Sequence, residues 1–83
     1  MKLYFENSRG EECVIAEPST VMECNIEIKK FLNKHNFTSY YSRCWKTPDG
    51  RIKVDVGSHT EFFKVEGVTW EEWLTPSEAQ QND

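Results

Sequence analysis

Between Arg51 and Val56 the chain alternates strictly, and this period of two puts Ile52, Val54 and Val56 on one buried side of a β-strand. A different period governs the stretch from Val21. There Val21, Cys24, Ile28, Phe31 and Leu32 recur at steps of three and four, which is one side of a helix. Thr20 and Glu23 stand at capping-box spacing in front of it. Glu23, Glu27, Lys30 and Lys34 occupy the opposite side in an order that permits surface ion pairs. Lys34 and His35 suit the negative end of the helix dipole, and Asn36 suits a left-handed stop. The spacing predicts a helix over 21–35.

Residues 2–7 and 12–17 are short β-favouring runs joined by Asn7-Ser8-Arg9-Gly10, so they read as a hairpin. Pro18 ends the second run, because it cannot donate to a continuing ladder. Residues 37–46 form another β-rich run, and Thr47-Pro48-Asp49-Gly50 turns it into the alternating strand at 51–56. Gly57-Ser58-His59 interrupts, and Thr60–Glu66 resumes around Phe62, Phe63 and Val65. Thr69 and Glu72 repeat the capping-box spacing before Trp70, Trp73 and Leu74, which predicts one short helical turn. The order is ββαβββ plus that turn. This is an α+β domain: a mainly antiparallel sheet of four or five strands with helix 21–35 across one face. The expected core is Leu3 or Tyr4, Val14, Cys24, Ile28, Phe31, Leu32, Ile52, Val54, Val56 and Phe63.

Composition sets the limits. At 83 residues the chain has room for one two-layer core, assigned to residues 1–74. Residues 75–83 hold no large apolar side chain and read as a flexible acidic tail. The net charge of −4 arises late, since residues 1–64 carry ten Lys/Arg against nine Asp/Glu. A body this balanced argues against tight duplex-DNA binding, which needs a basic surface. No apolar run is long enough for a membrane span, and charges at Lys2 and Glu6 argue against a secretory signal. Cys13, Cys24 and Cys44 are odd in number and unpaired in spacing, as expected of reduced thiols in a cytoplasmic protein. With His35 and His59 they form no chelating pair, so neither metal nor cofactor is expected.

The aromatic doublets carry the functional information. Successive strand residues point to opposite faces, so Tyr4-Phe5, Tyr40-Tyr41 and Phe62-Phe63 each put one ring on either side of the sheet. One helix covers only one side. The rings on the other side mark a binding surface, unless Trp70 and Trp73 fold back over them or a second copy of the chain does. Register decides which residues share that side. The Pro-Asp-Gly turn favours a three-residue loop, which pairs Thr47 with Arg51, Trp45 with Lys53 and Arg43 with Asp55. Tyr41, Arg43, Trp45, Arg51 and Lys53 then face away from the core. A four-residue loop would pair Trp45 with Ile52 and bury both Tyr41 and Trp45. Loop chemistry specifies register, so the first pairing is the expected one.

Catalytic signals are thin. Asp55, Ser58, His59 and Glu61 invite a hydrolase reading, but a strand–turn cluster this small offers no deep pocket or oxyanion site. Ser58 and His59 read as turn-satisfying groups, and no catalytic residue is assigned.

The opening Met1–Glu12 and the stretch Lys53–Phe63 resemble small uncharacterised accessory proteins of phages and prophages of Gram-positive bacteria. The resemblance implies a cytoplasmic accessory protein that binds a host or phage protein. Taken together, the expectation is a non-enzymatic protein-binding adaptor or inhibitor using Tyr41, Arg43, Trp45 and Lys53, with homodimerisation open. The alternative is a single-stranded nucleic-acid module that stacks bases on the same aromatic and basic face.

Overall fold

The computed structural model describes residues 1–35, 43–58 and 60–74. They form β1 (Lys2–Glu6), β2 (Glu12–Ala16), α1 (Val21–Lys34), β3 (Arg43–Lys46), β4 (Ile52–Asp55), β5 (Phe62–Glu66) and α2 (Trp70–Leu74). Every described strand pairing is antiparallel, and the five strands lie in the order β2-β1-β5-β4-β3. The expected α+β architecture is therefore present, with five strands and two helices.

Two similar turns set the hairpin registers. In the first, the Asn7 N–H donates to the Glu11 carbonyl at 2.9 Å and the Gly10 N–H donates to the Asn7 carbonyl at 2.9 Å. In the second, Thr47 N–H reaches the Arg51 carbonyl at 2.8 Å and Gly50 N–H reaches the Thr47 carbonyl at 3.0 Å. Both loops end on a glycine in the left-handed region, Gly10 at φ 81° and Gly50 at φ 87°, where a side chain would be strained.

α1 starts on Thr20, whose hydroxyl accepts the Glu23 N–H at 3.0 Å. The return bond from Glu23 goes one residue further out than in a simple capping box, accepting the Ser19 N–H at 2.8 Å. α2 has the full reciprocal box between Thr69 and Glu72. α1 carries the chain from one edge of the sheet, β2, to the other edge, β3.

The core lies between α1 and one side of the sheet: Leu3, Cys24, Ile52, Phe63 and Val65 are sealed, with Val21, Ile28, Leu32, Val54, Val56 and Trp73 around them. Of the two choices at the first strand, Leu3 is the core residue. Val14 corrects the expected core. It is 46% exposed, because β2 is an edge strand and Val14 pairs with Tyr4 on the side away from the helix. Phe31 is half-buried rather than central, packing its ring 4.6 Å from Phe5 and edge-on to Phe63. No helix among the described residues is long and apolar enough to cross a membrane.

Candidate protein-binding face

The three-residue turn places Arg43, Trp45 and Lys53 in the expected register. β3 and β4 pair Trp45 with Lys53 and Arg43 with Asp55, while Cys44 and Val54 form the pair between them. Cys44 and Val54 turn toward α1, so Arg43, Trp45, Lys53 and Asp55 belong to the opposite face. Trp45 is 40% exposed there. The two described doublets divide as expected too. Phe5 and Phe63 pack into the core, whereas Tyr4 and Phe62 belong to the second face. Tyr41, Tyr40 and His59 lie outside the described residues.

The fate of that face depends on α2. Trp73 is buried, and its indole N–H donates to the Cys44 sulfur at 3.0 Å. Trp70 also packs against the core cluster. Both tryptophans thus sit on the α1 side, and no described helix covers the second face.

Lys53 behaves differently from its neighbours. Its ammonium lies 4.2 Å from the Phe62 ring centroid and 3.6 Å from Glu6 Oε1, so the cation–π partner of Lys53 is Phe62 and not Trp45, its neighbour across the hairpin. It is drawn inward, into a lattice of charges that spans the sheet. Lys64 Nζ donates to Glu12 Oε2 at 2.8 Å and lies 3.6 Å from Glu6 Oε1. Arg51 crosses the Tyr4 ring, 5.2 Å from its centroid, to donate to both Glu12 oxygens, and it also holds Asp49. The Tyr4 hydroxyl donates to Glu66 at 2.7 Å, which pushes its pKa up. Glu12 drops from 4.5 to about 2, first because Arg51 and then because Lys64 bonds its carboxylate. Arg51 and Thr47 likewise hold the Asp49 carboxyl well below the usual range.

Trp45 and Arg43 stand at the β3 end of this lattice. Arg43 donates to Asp55 Oδ2 at 3.0 Å with its own side chain 68% exposed, while Asp55 is buried and accepts the Gly57 N–H through its other oxygen. Sequence reasoning missed Glu6, Glu12 and Lys64. Period-two alternation could have found Glu6 and Lys64, since each is two residues from a ring already assigned to this face.

The former hydrolase cluster has structural work. Ser58 Oγ accepts the Glu61 N–H at 3.1 Å and donates to Glu61 Oε1, while Asp55 serves Arg43 and Gly57. Among the described residues no group of three His, Cys, Asp or Glu side chains could hold a metal ion. Compared with known families, curated proteins and solved structures, the chain matches none of them.

Proposed function

We propose that the protein is a non-enzymatic adaptor or inhibitor that binds a host or phage protein in a bacterial cytoplasm. Binding uses the second sheet face at its β3 end, through Trp45 and Arg43 with Lys53 beside them and Tyr41 as the sequence-derived fourth member. The observation that carries this reading is the 40% exposure of Trp45 on a face that neither Trp70 nor Trp73 covers. Trp and Arg are the side chains that dominate interface hot spots, since each joins a large contact area to a polar group. Arg43 is held by Asp55 but keeps most of its guanidinium in water, so it is presented without first having to be ordered.

The nucleic-acid alternative gains less support. Arg51, Lys53 and Lys64 are matched to Glu6, Glu12 and Asp49, which removes the positive charge that phosphates need. Arg51 and Lys53 also lie over Tyr4 and Phe62, the rings that would have to stack on bases.

The test is a comparison of the tagged protein with its Trp45→Ala variant on lysate from a Gram-positive host, read by quantitative mass spectrometry. A partner retained by the parent and lost from an equally stable variant supports the reading. Identical captures by the two proteins refute it, and salt-sensitive retention on single-stranded polynucleotide would favour the alternative.

A further inference from the structure

The two edges of the sheet are built differently. β3 has Arg43 and Lys46 at its ends, the kind of charge that discourages an edge from pairing with another strand. β2 has instead the apolar run Cys13-Val14-Ile15-Ala16, with no lysine or proline inside it. Half of its backbone is committed to β1. The Asn7–Glu11 bond closes the hairpin as a hydrogen-bonded pair, so alternation makes Phe5–Cys13 the next bonded pair. The N–H and C=O groups of Glu12 and Val14 therefore point outward. The register shift falls beyond Val14, at Ile15, and leaves the strand regular where these groups lie.

Beside the end of β2 a groove of about 370 Å³ opens toward α1. Ala16, Pro18 and Ile26 give it an apolar lining, Glu17 and Glu23 add carboxylates, and Glu27 is paired there with Lys30 at 3.6 Å. Ile26 is 48% exposed although it sits on a core-packed helix.

We infer that the outer edge of β2 takes an extended segment of another protein as an added strand, one that is apolar at alternate positions and basic at its ends. Main-chain bonds to Glu12 and Val14 would hold such a segment, and side chains on its helix side would meet Ile26 and the groove. Charge selects the ends. Glu11 and Glu17 bracket the apolar run and are both exposed; Glu11 accepts from Asn7 Nδ2 and pairs with Arg9 through one oxygen, both contacts open to solvent and the ion pair to salt. A second copy of β2 fits badly: an antiparallel pairing centred on Val14 sets Glu11 against Glu17 at both ends, and directly opposed like charges destabilise a strand pair. Basic ends turn both repulsions into attractions. This edge is the one farther from Trp45, so the two surfaces stand or fall separately.

The experiment is an amide-shift titration of the full chain with the peptide Arg-Val-Thr-Val-Thr-Val-Lys and with its control Glu-Val-Thr-Val-Thr-Val-Glu. The basic peptide is expected to bind below about 1 mM and to shift amides of residues 12–16 and Ile26. The acidic control should bind at least about tenfold more weakly, and Glu17→Lys should shrink that ratio. Val14→Pro should abolish binding while leaving the melting temperature within about 5 °C, since proline is tolerated where an edge N–H faces solvent. If Val14→Pro does not fold, the Glu17→Lys ratio decides alone. Equal binding of the two peptides, no binding by about 1 mM, shifts confined to residues 43–46, or self-association through β2 would each overturn the inference.

Discussion

The indole N–H of Trp73 points at the sulfur of Cys44, 3.0 Å away, from the same side of the sheet as α1. Trp45, the next residue along β3, must therefore point the other way. Two tryptophans near one strand thus have opposite duties, one closing the core and one standing in solvent.

Substitution should separate them. Trp73→Ala is expected to cost roughly 3–5 kcal/mol, as for other buried large-to-small changes, and a domain of this size has about 5 kcal/mol in hand. Trp45→Ala should leave the melting temperature nearly unchanged. Urea unfolding of both variants checks this, and a large loss in Trp45→Ala would show that its ring is structural.

Phe63 and Phe31 touch edge-on at 5.5 Å, but their burial differs. Phe63 is 1% exposed at the centre of the sheet, whereas Phe31 lies at the rim against Phe5 and His35. Phe63→Ala should cost roughly 3–5 kcal/mol and Phe31→Ala about half of that, because the rim can relax into water. Equal costs in denaturant titrations would contradict the ranking.

Acid should loosen the charged lattice. The Glu12 carboxyl titrates at about 2 in the folded chain and near 4.5 when free of its partners. A depressed folded-state pKa adds stability above the unfolded value and loses it as pH falls toward the folded one. Calorimetric melting temperatures should therefore drop between about pH 4.5 and 2, with Asp49 contributing in the same direction. Glu12→Gln should lower the neutral-pH plateau and flatten this descent. An acid limb identical to the parent's would remove Glu12 from the account.

The cysteines should react in sequence. Cys13 is exposed on β2, while burial pushes the sealed Cys24 thiol up to about 12. Iodoacetamide at pH 8 should modify Cys13 rapidly, and Cys24 only at the rate at which the chain opens. Mass-resolved labelling that finds Cys24 modified as fast as Cys13 would mean that the α1 face is not closed.

Local chemistry was legible in the chain, and long-range adjacency was not. Both caps, both glycine turns and the Trp45–Lys53 register follow from residues within a few positions of each other. Val14 misled because its apolar character says nothing of whether β2 is central or at an edge, which depends on where β5 inserts. Lys53 misled for a related reason: its partners Glu6 and Phe62 arrive from β1 and β5, beyond the reach of hairpin counting. Arg43, Trp45 and Lys53 were placed on one face by alternation, but the lattice beside them needed the strand order.

That strand order has a consequence for synthesis. β1 and β5 are central neighbours, pairing Leu3 with Val65 and Phe5 with Phe63 across nearly the whole length of the chain. A ribosome releases the first of these strands early and the second late. Until residues 62–66 emerge, the β1–β2 hairpin and the β3–β4 hairpin have no common strand to join them, and α1 has only half a sheet to pack on. Such late pairing is slow to search for and leaves apolar surface waiting. β5, the last of the described strands, is the one that joins the two hairpins into a single sheet.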